Sequence, residues 1–281
     1  MSGRLLSPAI ALVFAAPALA SQPRFFATGS YVFGEPRLFE IDMATGQLLS
    51  DARTTGIVDG LGDVELKGIE FAPDGTLYGF SHVPTSRLWR IDQDSAVGEA
   101  VGPEFISQVF EGGIAPVDNT TAFITTGNTA ADGFLMSVDL QTGVETTLSP
   151  LSRRADISGL AYRGDGMLVG LDARGLELPE QLVTIDPETG QIAELAPLVS
   201  RNEGFVAGMS VLYGEGYFLY SGLSPSFNPE LWRFDLYTGE QEFITTVDAN
   251  VGFTGLAIQV PGPGSPLLLG VASIAALRRR R

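Results

Sequence analysis

One five-residue pattern recurs along this chain and decides most of what the chain can fold into. It reads Leu38-Phe39-Glu40-Ile41-Asp42, Leu88-Trp89-Arg90-Ile91-Asp92, Leu135-Met136-Ser137-Val138-Asp139, Leu182-Val183-Thr184-Ile185-Asp186 and Leu231-Trp232-Arg233-Phe234-Asp235. Four copies lead into Thr-Gly, at Thr45-Gly46, Thr142-Gly143, Thr189-Gly190 and Thr238-Gly239, and the second runs into a degenerate turn ending at Gly98. The aspartates are spaced 50, 47, 47 and 49 residues apart. Alternating apolar residues ahead of each aspartate predict a half-buried strand. The aspartate carboxylate accepts backbone N–H groups of the turn that follows. Pro187 suits the second turn position, where φ is near −65°, and the glycine takes the left-handed conformation before the chain returns. Each copy is therefore a hairpin, and its aspartate is read as structural rather than catalytic.

A second landmark falls between the hairpins: Gly68-Ile69-Glu70-Phe71, Gly113-Ile114-Ala115, Gly159-Leu160-Ala161, Gly208-Met209-Ser210 and Gly255-Leu256-Ala257. The first four lead through tight turns (Asp74-Gly75, Asp118-Asn119, Asp165-Gly166, Glu215-Gly216) into a further strand each, for example Leu77-Tyr78-Gly79-Phe80 and Tyr217-Phe218-Leu219-Tyr220. Four short strands per period of about 47 residues match a propeller blade. The last unit stops after Gly255-Leu256-Ala257-Ile258, and its missing partner is Arg24-Phe25-Phe26-Ala27-Thr28-Gly29 at the other end. The first blade thus takes three strands from the N-terminus and its innermost from the C-terminus, which leaves no open sheet edge. A β-sandwich also has short, regularly spaced strands, but not a four-strand repeat with a split end. The expected fold is all-β, a five-bladed β-propeller over residues 21–259, flanked by an N-terminal signal helix and a short C-terminal apolar helix.

The two ends differ from this middle. Arg4, an apolar stretch from Leu5 to about Ala16 and Ala18-Leu19-Ala20 together have the layout of a secretory signal cleaved after Ala20. At the other end, residues 260–281 run from a Pro/Gly linker through the apolar segment Leu267 to Leu277 and close on Arg278, Arg279, Arg280 and Arg281. Four arginines resist translocation and stay on the cytoplasmic side. Between the ends lie 12 basic residues and all 33 acidic ones, so the middle carries a net charge near −21. Such a domain repels nucleic acid and anionic membranes and attracts cations; the same charge also serves plain solubility. With no cysteine there is no disulfide, thiolate metal site or cysteine nucleophile.

Calling the strands of a blade A to D from the axis outward, the A–B and C–D turns are tight and repetitive. The B–C and D–A loops share the opposite face and vary in length and sequence, which is where a rigid scaffold carries binding. Glu65, Glu111 and Asp156 precede inner strands, with Glu203 and Asn250 at nearby positions in the other two blades. A ring of oxygens at a channel mouth suits a hard cation, with calcium the one metal expected, or the hydroxyls of a sugar. It is equally a solvated rim on an acidic protein. Two of these carboxyls could also act on a glycosidic bond. His82 is the sole histidine, so a histidine-rich metal site is excluded. No Gly-x-Ser-x-Gly elbow, phosphate loop or dinucleotide fingerprint is present. Trp89 and Trp232 occupy equivalent strand positions, which points to packing between blades.

The tail resembles the PEP-CTERM sorting signal of bacterial surface proteins, which has a Val-Pro-Glu-Pro motif, a short apolar segment and an arginine-rich end. The matching residues are Val260, Pro261, Gly262 and Pro263, with Gly262 in place of glutamate, then Leu267 to Leu277 and the four arginines. The resemblance implies an exosortase-type sorting protease as partner, transient attachment to the inner membrane through the tail, and association with exopolysaccharide or the cell surface. Residues 24–259 resemble the propeller-like repeat proteins that often carry such tails, a likeness of fold that implies no activity. The reading is an exported surface or matrix protein, non-catalytic, that binds a glycan or protein partner through its variable loop face. A secreted hydrolase or lyase working on polysaccharide and a coat component without ligand are its rivals.

Overall fold

Five sheets, each built on a four-stranded antiparallel blade, stand around a common axis. A computed structural model of the chain describes residues 22–31, 35–56, 64–82, 85–107, 109, 112–126, 133–153, 155–173, 180–199, 204–222, 228–248 and 250–260. Segment 1–20 and residues 261–281, with the helices expected there, lie outside the described residues. The propeller unit runs Pro23–Val260.

The strands follow the repeat. The first blade holds β1 (Arg24–Tyr31), β2 (Pro36–Ile41) and β3 (Leu48–Arg53), and a short β4 (Thr55–Gly56) follows. The second holds β5 (Leu66–Phe71), β6 (Leu77–Ser81), β7 (Arg87–Ile91) and β8 (Val97–Val101), and the third β9 (Ile114–Pro116), β10 (Thr121–Thr126), β11 (Phe134–Asp139) and β12 (Glu145–Pro150). The fourth holds β13 (Ile157–Tyr162), β14 (Leu168–Asp172), β15 (Gln181–Ile185) and β16 (Ile192–Pro197), and the fifth β17 (Gly204–Leu212), β18 (Glu215–Gly222), β19 (Glu230–Asp235) and β20 (Gln241–Thr246). The last strand, β21 (Val251–Gln259), returns to the first blade and pairs antiparallel with β1, from Arg24↔Gln259 to Tyr31↔Val251. The sheet order β21-β1-β2-β3 is the expected closure. One element was not foreseen: β4 adds to the outer edge of the second blade, parallel to β8 through Thr55↔Val97 and Gly56↔Gly98.

Burial follows position in the blade. The second strands β6 and β14 are buried along their whole length because neighbouring blades cover both faces. The outermost strands β3, β16 and β20 are mostly exposed or half-buried. The apolar side chains gather into five clusters, one at each seam between blades. Phe26, Leu38, Leu77 and Trp89 lie between the first and second blades; Phe80, Ile114 and Met136 between the second and third. Leu135, Leu168 and Val183 join the third and fourth. Leu171, Phe218 and Trp232 join the fourth and fifth, where the Phe218 and Trp232 rings stack 6.2 Å apart. Phe25, Phe39, Leu219 and Phe253 close the ring. Both tryptophans therefore pack between blades, as their equivalent positions suggested.

The repeated aspartate does what its turn requires. Asp42 Oδ1 accepts the amides of Ala44 and Thr45 at 2.8 and 2.9 Å, and Asp139 Oδ1 those of Gln141 and Thr142 at 2.9 and 2.8 Å. Asp92, Asp186 and Asp235 repeat the arrangement. In all five the carboxyl is held below the ordinary aspartate range. The largest cause is the residue three positions on, through its amide at Asp42, Asp139 and Asp235 and through its hydroxyl at Asp92 and Asp186. The turn glycines Gly46, Gly143, Gly190 and Gly239 have φ between +66° and +72°.

Two turns differ from the sequence expectation. In the second blade the left-handed residue is Ala96, φ +57°, while Gly98 lies inside β8. In the fifth blade the tight turn is Tyr213-Gly214, both with positive φ (51° and 83°), and Glu215 and Gly216 already belong to β18. Two consecutive positive-φ residues match the hairpin twist, and that geometry prevailed over the more turn-like Glu-Gly pair.

Candidate ligand site at the loop end of the axis

The second sequence landmark explains how tightly the axis closes. A Cβ on Gly113 would lie 2.1 Å from the amide nitrogen of Leu160, and one on Gly208 2.4 Å from that of Leu256. The inner strands of neighbouring blades thus approach backbone to backbone, and only glycine fits. At this waist, lined by Gly68, Gly113, Gly159, Gly208 and Gly255, the free volume is about 10 Å³, room for at most one water. The waist divides the axis into two separate pockets.

The pocket at the loop end measures about 220 Å³ and is lined by Lys67, Gly112, Ser158, Ala173, Val206, Ala207 and Thr254. Five of these occupy one repeat position, the residue just before the waist glycine. In four blades that residue is a β-bulge. The pairing skips from Leu66 to Gly68, from Ile157 to Gly159 and from Val206 to Gly208, leaving out Lys67, Ser158 and Ala207. In the closing blade it passes over Thr254, as Gly255 pairs Thr28 and Phe253 pairs Gly29. A bulge bends the strand and re-aims one side chain; here it aims one residue per blade at the mouth. Thr254 Oγ1 donates to the carbonyl of Leu66 at 2.7 Å and so ties the closing blade to the second. Lys67 Nζ lies 2.6 Å from Glu65 Oε1. Among the described residues the mouth therefore holds the Lys67 ammonium, paired with Glu65, and the hydroxyls of Ser158 and Thr254, which lie 3.5 and 2.7 Å from the carbonyls of Leu171 and Leu66. They stand against walls of Ala173, Val206 and Ala207, a setting for a small hydroxylated or carboxylated group.

The expected site residues fall as follows. Glu65 partners Lys67 and borders a crevice between the first and second blades with Thr28, Arg37 and Thr54. Asp156 is buried, its amide donating to Asp172 Oδ1 at 3.1 Å and its carbonyl accepting from Ala173 at 2.7 Å. Arg153, three residues before Asp156, reaches Asp172 Oδ2 at 2.6 Å. Asn250 is exposed at the start of the closing strand. Glu111, Glu203 and residues 261–281 of the sorting motif lie outside the described residues, and Val260 is the last described residue, 45% exposed. Among the described residues no three histidine or carboxylate side chains are gathered as a metal would require. Also on the loop face, Glu180 is half-buried and its carboxyl is pushed up to about 7 by burial. The ring of bulge residues was missed altogether, although the Lys-Gly, Gly-Gly, Ser-Gly, Ala-Gly and Thr-Gly pairs marked its position.

Comparison with known proteins places this geometry. The chain is similar to a chain of the crystal structure of a nidogen/laminin complex, with a TM-score of 0.54 and 11% identity, covering 86% of this chain and 100% of that one. It also matches TolB from Acinetobacter baumannii, with a TM-score of 0.48 and 14% identity over 79% of this chain and 53% of that one. A TolB-like protein from Agrobacterium tumefaciens gives 0.46 and 12%, over 82% of each. At 11% identity the first likeness is one of fold alone. No curated protein sequence matches the chain. The model of a repeat of unknown function, DUF6923, matches residues 69–224, from the second blade into the fifth. The match spans more than half of the chain, which therefore belongs to the DUF6923 repeat family.

Proposed function

We propose that this propeller is an exported, surface-sorted binding protein whose loop-end pocket holds a terminal sugar or similar hydroxylated group of an extracellular polymer. The supporting observation is the ring of bulge residues, with Lys67, Ser158 and Thr254 set around about 220 Å³. That volume is below the roughly 300–1,000 Å³ of a drug-sized site, so it suits one sugar unit rather than a long oligosaccharide. The variable B–C loops then contact the rest of the polymer or a protein partner. Export rests on the signal layout of residues 1–20, and sorting on the resemblance of residues 260–281 to exosortase substrates.

Binding is tested by thermal melts against a panel of bacterial and algal polysaccharides and their monosaccharides, with calcium and with EDTA. A ligand at a hundred times its dissociation constant adds about 2.7 kcal/mol. The expected result is a selective upward shift that Ser158→Trp, which fills the mouth, removes. A flat response to the whole panel overturns the binding reading in favour of a structural coat component. Mass spectrometry of the protein released by its host tests the rest: the expected termini are Ser21 and a C-terminus short of Arg278. An intact Met1 or an intact tail overturns export or sorting.

A further inference from the structure

The other pocket, at the turn end of the axis, measures about 180 Å³ and is lined by Glu70, Phe71, Pro73, Pro116, Tyr162, Val211 and Ile258 among others. Glu70 is out of place by the logic of the repeat. At its position in the inner strands the other blades carry Ala115, Ala161, Ser210 and Ala257, so the fold needs only a small side chain there. Glu70 is instead a carboxyl 8% exposed. It accepts the amide of Phe71 at 2.9 Å, and the buried Ser210 hydroxyl approaches it without reaching regular hydrogen-bond geometry. Burying a carboxyl is costly, and one set in a cleft is a functional-site candidate.

We propose that this turn-end pocket is a binding site for a small organic cation, an ammonium group carried on a single ring or short aliphatic arm, with Glu70 as its counter-ion. The size fits, since an apolar cavity of about 150 Å³ takes a benzene ring. The lining side chains other than Glu70 are apolar or aromatic, with polar backbone groups between them, and Glu70 is the one carboxylate among the described lining residues. The strands packed around it face it with Ser210 from β17, Tyr162 from β13, Pro116 from β9 and Ile258 from β21. The charged groups of the surrounding turns are Asp74, Asp118 and Asp165, with Arg163 held by Asp165 at 3.0 Å, and Glu215 at the start of β18 is paired with Arg233 at 3.1 Å. Together with a domain charge near −21, this favours a cation over an anion. Burial, partly offset by the nearby Ser210 hydroxyl and by the amides of Phe71 and Ile258, pushes the Glu70 carboxyl up to about 8. In neutral solution the empty site is mostly the acid. Binding an ammonium ion then transfers the Glu70 proton to water and leaves a carboxylate–ammonium pair, so charge and protons balance.

The test is calorimetric titration of the whole protein with benzylammonium chloride from pH 5 to 9, in two buffers of different ionisation heat, with benzyl alcohol as the uncharged probe. The expected result is release of close to one proton per ligand at pH 6. Affinity should rise about tenfold per pH unit up to pH 7 and level off above pH 8. Benzyl alcohol should bind at least tenfold more weakly. Glu70→Gln should remove the proton release and the pH dependence. Val211→Trp, which fills the pocket and keeps the carboxyl, should abolish binding and serves alone if the Glu70 variant does not fold. Equal binding of benzyl alcohol, binding without proton release, binding that survives both substitutions, or no binding at millimolar concentration overturns the proposal.

Discussion

The amide of Asp248 donates to the carbonyl of Gly46 at 3.0 Å, so the turn of the first blade is fastened to the chain leaving the fifth. The same contact recurs around the ring: Ser152 donates to Gly190 at 2.9 Å and Thr55 to Ala96 at 3.2 Å. The Asp-x-x-Thr-Gly turn is therefore also a latch onto the preceding blade. A Cβ on Gly46 would meet the Thr246 carbonyl oxygen at 2.0 Å, whereas one on Gly75, φ +87°, meets nothing within 4 Å. Gly75→Ala should cost only the left-handed penalty of about 1–2 kcal/mol. Gly46→Ala should cost that and a further 1–3 kcal/mol or so of overpacking. Paired urea denaturation of the two variants measures the difference, and equal losses would remove the latch.

The five turn aspartates set the acid limit of the fold. Their carboxyls are held below the usual range in the folded chain. Their contribution is therefore fully present above the ordinary aspartate value and is lost as pH falls through the depressed ones. Asp139→Asn keeps an oxygen acceptor for the turn but no titrating group. Its melting temperature should fall less steeply than that of the parent between pH 4 and pH 2.5.

Glu70 acts with the opposite sign. Its carboxyl is raised to about 8 in the folded chain, so the folded state binds more protons than the unfolded one. The resulting stability is complete below about pH 4.5 and is lost as pH rises towards 8. Glu70→Gln should flatten the decline in melting temperature between pH 5 and 8, and an unchanged slope would mean that the carboxyl is already ionised.

Tyr213 holds φ +51° and is 53% exposed, so strain there is not offset by burial. Tyr213→Asn should raise stability by about 0.5–1 kcal/mol, since asparagine tolerates the left-handed turn. The same reasoning does not carry to Ala96, which is buried in the seam of the first two blades and would lose packing as glycine.

Blade number and ring closure were legible because turn chemistry is local: Asp139 and Thr142 specify their hairpin by themselves. The waist was half legible. Its glycines stood out as a repeat, but their role depends on the next blade's backbone, such as Leu160 against Gly113. The bulges at Lys67, Ser158, Ala207 and Thr254 left no alternation to read, because one extra residue is invisible without its partner strand. For that reason carboxylates such as Glu65 and Asp156 stand out in the sequence and the residues that line the mouth do not. Strand β4 was hidden too, being two residues long and paired parallel to β8.

The seating of β21 beside β1 also gives the chain an order of events. Four blades are complete once Thr246 has been made, yet the first still lacks the strand that faces the axis. Neither axial pocket exists until residues 251–259 arrive, because Thr254 belongs to one and Ile258 to the other. A chain clipped only a dozen residues before Val260 would keep nearly all its hairpins and lose both cavities at once. Both axial cavities are thus set by the last strand to be made, and they share its fate.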